Sequence, residues 1–367
     1  MSAHLFYILI AFAVSLLCGI ITIPIILDFC KKYHLYDIPD QRKLHHNAIP
    51  RLGGICFMPS MLLALIIALM AFGRITGEEK ISANPWTLMF LVSLLLIYFT
   101  GLIDDITGLR PRTKFLMQVF AASLIPMSGL YINNFYGFLG IHEIPFWIGA
   151  PLTVFIIVFI DNAINLIDGI DGLSSGLSVI SLGGFLYSFA REEVWVYCIL
   201  IAGLMGVIIS FMYYNIWGKP EKNTKIFMGD SGSLTIGFVL GFLMVKYAMD
   251  NPRVMPFRQD GLLLSYTLLI IPAFDVVRVI LKRMRMHVGI FKADKNHIHH
   301  KLLAAGMNQR QALITILTFE LFYIVLNLQV LPNFDITYIV VIDVIIYTAF
   351  HVMLDIIINR KELLKIS

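Results

Sequence analysis

Carboxylates and amides crowd the run Asp161-Asn162-Ala163-Ile164-Asn165-Leu166-Ile167-Asp168-Gly169-Ile170-Asp171-Gly172-Leu173, which lies between two long apolar stretches. At helical spacing Asp161, Asn165 and Asp168 share one face. Oxygen donors this dense suit a hard cation such as Mg²⁺, shared with a phosphate. A polar turn between helices, with Gly169 and Gly172 as helix stops, is the competing explanation.

Four more clusters have the same character. Asp104-Asp105 ends an apolar stretch, where a helix C-terminus disfavours acids; metal binding or proton abstraction from a phosphate would justify the pair. Lys114 opens the next stretch, where the helix dipole disfavours a cation, so it either serves a phosphate or snorkels to anionic headgroups. Gly229-Asp230-Ser231-Gly232-Ser233 opens another apolar stretch. Asp230 there is a routine N-cap or a phosphate-site residue, and the flanking glycines admit a phosphate to the helix N-terminus. Phe227 just before it is a core residue or a ring on which a base stacks. Finally His297, His299 and His300 lie between Lys295 and Lys301, a setting suited to pyrophosphate or to an anionic lipid surface.

These clusters need elements to hold them. The chain has 367 residues, is 58% hydrophobic and only 14% charged, whereas a soluble domain carries about 25% charge. Its apolar residues come in long blocks, which predicts an all-α polytopic membrane protein and no β-barrel. About 11 spans are expected, near 5–27, 53–72, 86–103, 114–130, 147–166, 173–190, 194–214, 232–249, 262–281, 311–331 and 335–358. Residues 1–367 read as one integral membrane domain. Most of the 28 Lys and Arg residues fall in the loops on one side. The positive-inside rule then puts the N-terminus outside and the C-terminus in the cytoplasm. All five clusters fall on the cytoplasmic face, and so would the active site.

Several classes lose support. There is no GxxxxGK[ST], GxGxxG or HExxH, so ATP, NAD and zinc-protease chemistry have no anchor. Cys18, Cys30, Cys56 and Cys198 lack CxxC spacing and read as small core residues. The first apolar run lacks a basic leader, so it reads as a retained helix. No internal repeat is evident, which weakens an inverted-repeat transporter. Asp275 and Arg278, inside the ninth span, are placed to pair at i, i+3.

Taken together, Asp104-Asp105, NxxNxxDGxDGL from Asn162 to Leu173, GDxGS from Gly229 to Ser233 and HxHH from His297 to His300 resemble the polyprenyl-phosphate N-acetylhexosamine-1-phosphate transferases, glycosyltransferase family 4. The resemblance covers nearly the whole chain, with the motifs in family order. His-Ile-His-His-Lys-Leu, the Arg42-Lys43-x-His45 loop and Pro50-Arg51-Leu52-Gly53-Gly54 are most similar to the bacterial undecaprenyl-phosphate GlcNAc-1-phosphate branch. The branch that uses UDP-MurNAc-pentapeptide usually carries three consecutive histidines, which Ile298 interrupts here.

The resemblance implies a Mg²⁺-dependent enzyme of the inner (cytoplasmic) membrane, with Mn²⁺ as the other cation it allows. It would turn UDP-GlcNAc and undecaprenyl phosphate into undecaprenyl-diphosphate-GlcNAc and UMP, the first lipid-linked step of a cell-surface polysaccharide pathway. By the same resemblance Asn165 and Asp230 are the metal ligands. Asp104, Asp105, Asp168, Asp171, His297, His299 and His300 form the catalytic set. Lys114, Asn162, Phe227, Arg42, Lys43, His45 and Arg51 bind substrate, Phe227 by stacking on uracil. Partners are a UDP-N-acetylhexosamine, undecaprenyl phosphate and membrane lipid, with no nucleic acid and with a homodimer left open. Two other readings stand beside it: the same chemistry on another UDP-sugar, and an ion or phosphate transporter.

Overall fold

The computed structural model describes residues 2–37, 48–76, 84–252, 255–289, 295–330 and 333–366. They form thirteen α-helices: α1 Ser2–Tyr33, α2 Phe57–Thr76, α3 Pro85–Thr107, α4 Pro111–Met127, α5 Phe146–Ile167, α6 Leu173–Arg191, α7 Trp195–Trp217, α8 Gly229–Ala248, α9 Gly261–Thr267, α10 Ile270–Arg285, α11 Ile298–Ala304, α12 Gln309–Val325 and α13 Ile336–Ile366. A short ribbon pairs β1 (Tyr36–Asp37) with β2 (Ile49–Pro50) antiparallel. The architecture is all-α and polytopic.

Each expected span is helical, but not all in the expected form. Among the described residues nine helices are long and apolar enough to cross a membrane, and a bent pair raises that to ten. The fourth expected span is α4, whose 17 residues include Arg112, Lys114 and Gln118; it is not one of those nine. The ninth is α9 and α10, bent by 70°. In lipid the backbone groups freed by such a break need partners. Ser181 Oγ donates to the Leu268 carbonyl at 2.6 Å, and Ile271 N–H donates to Glu320 Oε2 at 3.2 Å. All four cysteines are free thiols; Cys30, Cys56 and Cys198 are buried and Cys18 is half-buried.

Helix α8 is the axis of the bundle. Its apolar window is 100% buried, against 22% for the peripheral α13. It packs between α3 and α5. Lipid supplies no hydrophobic drive for helix association, so tight packing rests on small residues. A Cβ on Gly237 of α8 would stand 2.7 Å from the Asp161 Cα of α5. This close approach brings the polar ends of α3, α5 and α8 together.

The chain before α8 is held just as closely. Phe227 N–H donates to the Pro50 carbonyl at 2.7 Å, while Gly53 and Gly54 N–H donate to the carbonyls of Phe227 and Met228 at 2.9 and 2.7 Å. Residues 50–54 and 227–228 therefore interlock through their backbones and deliver Gly229 and Asp230 to the start of α8.

Candidate active site

Lys114 stands at the centre of the polar cluster. Its Nζ lies 2.6 Å from Asp230 Oδ1 and 3.1 Å from Asp104 Oδ2. Asn165 Nδ2 donates to the same Asp230 oxygen at 2.5 Å and to Ser233 Oγ at 2.8 Å. Leu109 N–H donates to Asp104 Oδ1 at 2.5 Å. Four helices, α3, α4, α5 and α8, thus each contribute a side chain to one point. The charges that each helix dipole disfavours alone, Asp104 on α3 and Lys114 on α4, answer one another here.

Asp105 has a different place. It is buried, and its two oxygens accept the backbone N–H groups of Asp230 and Ser231 at 2.7 and 2.8 Å. Those are unpaired donors at the start of α8, a helix end that favours negative charge. The sequence left this helix end as a routine N-cap or a phosphate site; two of its amides hold the Asp105 carboxylate. Gly229, at φ +71°, makes the turn into the helix, and a Cβ there would stand 2.1 Å from the Arg51 carbonyl and 2.7 Å from both Asp105 oxygens. Only glycine fits both the conformation and the space.

The Asp161–Leu173 run divides in two. Asp161 is buried deeper, where Gln118 Nε2 donates to it at 2.9 Å. Asn162 Nδ2 donates to Gln118 Oε1 at 3.0 Å and to the Val158 carbonyl at 2.7 Å, which ties α5 to α4. Asn165 alone of this face reaches Asp230. Helix α5 ends at Ile167, and Asp168 steps off it as the C-cap. Asp168 is exposed in the loop that follows α5. Desolvation first, then the charges of Asp230, Asp171 and Asp105, push its pKa up to about 7.

Asp171 is clamped. Lys225 Nζ lies 2.6 Å from its Oδ2 and also donates to the Asn215 carbonyl. Asn215 accepts Gly172 N–H at 2.7 Å and donates to the Ile226 carbonyl at 2.9 Å. Lys225 and Asn215, like Gln118, were not singled out from sequence. No local pattern marks Lys225, which reads as one more basic loop residue.

His299 reaches the same loop. His299 is buried against the Asp168–Gly172 loop, where a Cβ on Gly169 would stand 2.2 Å from its Nε2. Among the described residues neither of its ring nitrogens has a hydrogen-bond partner. Burial, with His300 next, pulls its pKa down to about 3, so the ring is neutral near pH 7. The His299 and His300 ring centroids are 4.2 Å apart. His297 instead faces away to Asp275, with Nδ1 2.7 Å from its Oδ2. Asp275 and Arg278 pair at 2.9 Å as expected. Arg51 lies beside the site through its carbonyl, and Phe227 is half-buried at the start of the GDxGS turn. Arg42, Lys43 and His45 lie outside the described residues.

Residues 86–248 match glycosyl transferase family 4. A probable undecaprenyl-phosphate N-acetylglucosaminyl 1-phosphate transferase of Bacillus subtilis (strain 168) is 33% identical over 84% of this chain and 81% of its own. The chain belongs to glycosyl transferase family 4. An undecaprenyl-phosphate alpha-N-acetylglucosaminyl 1-phosphate transferase of Yersinia pestis is 28% identical over 78% of this chain and 74% of its own. A decaprenyl-phosphate N-acetylglucosaminephosphotransferase of Mycobacterium leprae is 30% identical over 76% and 72%. The stretch that matches the family model runs from the start of α3 to the end of α8, so it contains Asp104, Asp105, Lys114, Asn165, Asp171 and Asp230 but not the histidines.

The donor set fits a hard cation. Around Asp230 the oxygens on offer are its own carboxylate, that of Asp104 and Ser233 Oγ; Asn165 presents its amide nitrogen there and would offer an oxygen only with the amide turned over. Among the described residues no three His, Cys, Asp or Glu side chains close on one point. A Mg²⁺ held here would take one or two carboxylates and draw its other ligands from water and substrate phosphates.

Proposed function

We propose that this chain transfers GlcNAc-1-phosphate from UDP-GlcNAc to undecaprenyl phosphate on the cytoplasmic face of the inner membrane, releasing UMP. The observation that carries this reading is Lys114 bracketed by Asp104 and Asp230, with Asn165 on the same Asp230 oxygen. A lysine with exchangeable carboxylate partners beside oxygen donors is suited to receive phosphates. The relatives' names supply the acceptor lipid and the sugar.

The reaction exchanges one phosphoanhydride for another. A lipid phosphate oxygen attacks the phosphorus that bears the sugar, a new P–O bond forms, and the P–O bond to UMP breaks. No ATP is needed, and the protein's task is to position and neutralise two anionic groups. Asp230 and Asn165 would hold Mg²⁺, or Mn²⁺. Bound there, the cation would offset phosphate charge. Lys114 would shift from its carboxylates to a phosphate oxygen. Asp104 would orient the lipid phosphate and take its proton, while Asp105 keeps Asp230 in place. Asp168 and Asp171 would order the nucleotide sugar, with Phe227 on uracil and Arg51 beside it. Asn162 would act through its bond to Gln118, and His299 and His300 would close over the pyrophosphate. The N-terminus would lie outside and the C-terminus in the cytoplasm. The product would be the first lipid-linked intermediate of a surface polysaccharide.

The test is UMP release by the purified protein, with UDP-sugars supplied one at a time. UMP with UDP-GlcNAc, only when undecaprenyl phosphate and Mg²⁺ are both present, is the expected result. Silence from a folded preparation with every donor would overturn it.

A further inference from the structure

We infer that Asp275 is the positioning residue of the histidine segment: from α10 it fixes residues 296–298 and so sets where His299 meets the Asp168–Gly172 loop. This rests on the proposed reaction for its kinetic consequence, but not for its structural one.

Asp275 is fully buried, and the donors around it come from three elements. His297 Nδ1 lies 2.7 Å from Oδ2, and Ile298 N–H donates to Oδ1 at 2.9 Å. Arg278 Nη2 donates to Oδ1 at 2.9 Å, and the Tyr347 hydroxyl of α13 reaches the same oxygen at 3.5 Å. Arg278 Nη2 also donates to the Asn296 carbonyl, and Lys282 Nζ donates to Asn296 Oδ1 at 2.5 Å. Asp275, Arg278 and Lys282 stand at i, i+3 and i+7, one stripe of α10. That stripe grips three consecutive residues, Asn296, His297 and Ile298. Ile298 N–H is a free donor at the start of α11, so Asp275 supplies across space the acceptor that an N-cap side chain would supply locally; α11 has no side-chain cap of its own.

The consequence falls one residue further on. Ile298 is fully buried in the cluster with Ile167, Ile170 and Leu173, so it pins α11 to the end of α5. His299 then packs against Gly169, with both ring nitrogens unpartnered among the described residues. The ring packs against Gly169, His297 and His300, and Asp275 holds the backbone that carries it there. Asp275 touches no reacting group; its effect passes through the loop.

The experiment compares Asp275→Asn, His299→Ala and the double variant in the full-length detergent-purified enzyme. Two readouts are taken: hydrogen exchange of amides 298–302, and UMP release under saturating substrates. Exchange at Ile298 should quicken at least tenfold in Asp275→Asn, with protection in α8 retained. Turnover should fall roughly 10- to 100-fold, and the double variant should be no slower than His299→Ala. Unchanged exchange at 298–302 in folded Asp275→Asn would overturn the inference whatever the activity, and so would multiplying losses in the double variant. If Asp275→Asn does not fold, Arg278→Gln, which loses the Asn296 tether and the ion pair but keeps Asp275 as acceptor for His297 and Ile298, must show the same local quickening; its absence is equally fatal. A wild-type enzyme that releases no UMP would refute the proposed reaction and leave the exchange result standing.

Discussion

The Asp105 carboxylate receives the backbone N–H of Asp230 at 2.7 Å, so the acid that ends α3 and the acid that opens α8 are joined through the main chain. The neighbouring Asp104 meets Lys114 instead. Two adjacent aspartates therefore do different work: one builds the site and the other lies in it.

Asp105→Asn should destabilise the protein. An asparagine has one acceptor oxygen for two N–H donors, and the amide left unpaired is buried. The loss should be about 1–3 kcal/mol, read as a lower Tm in detergent. Turnover should fall with it, because Asp230 rides on the displaced peptide. A folded variant with the wild-type Tm would contradict the capping role.

Lys114→Met should leave Asp104 and Asp230 facing each other without their shared cation. Turnover should drop by about 100-fold or more, the usual cost of losing a charge that stabilises a transferring phosphate. Lys114→Arg should restore only part of it, since a planar guanidinium cannot put one nitrogen between both carboxylates. Full activity in Lys114→Arg would show that charge alone suffices.

Lys225→Met should release Asp171 from its clamp. The expected effect is on the donor: KM for the UDP-sugar rises by roughly tenfold, near 1.4 kcal/mol, with kcat affected less. Steady-state kinetics in both substrates decide it. An unchanged donor KM would remove Asp171 from the nucleotide-sugar site.

His299 gives a signed pH prediction. Its pKa is pulled from the usual value to about 3 in the fold, so between about pH 6.5 and 3 the unfolded chain binds a proton that the folded chain does not. Stability therefore falls as pH drops through that window, by up to roughly 1.4 kcal/mol per unit from this group. His299→Gln should show a shallower fall in Tm between pH 6.5 and 4.5 than the wild type. Equal slopes would show that the ring is protonated in the fold.

The order of the helices and the crowding of polar clusters at one end were legible because each leaves a local mark: long apolar blocks, and charges where helix dipoles disfavour them. What was not legible depends on contacts between distant residues. Asp104 and Asp105 are identical in type and adjacent, and only the arrival of α8 tells them apart. Asp161 shares a helical face with Asn165, but Gln118 of α4 draws it away. Lys225 and Asn215 look like ordinary loop and helix residues until Asp171 and Gly172 lie beside them. Asp275 was legible as the partner of Arg278 but not as the acceptor for His297 and Ile298, because the intervening loop hides which residues return to α10. The bend between α9 and α10 was missed although Pro272 marks it, since a proline cannot donate into the preceding turn; the freed backbone groups are met by Ser181 and Glu320 from other helices.

The central claim is that the phosphate next to the sugar travels with it. UDP-GlcNAc labelled with ³²P at the phosphate that bears GlcNAc tests this directly, with purified protein, undecaprenyl phosphate and Mg²⁺. The account predicts label in the lipid fraction and unlabelled UMP in water, with both products lost in Asp230→Asn. Label that stays in water as UDP while GlcNAc enters the lipid would mean transfer of the sugar alone, and would contradict it.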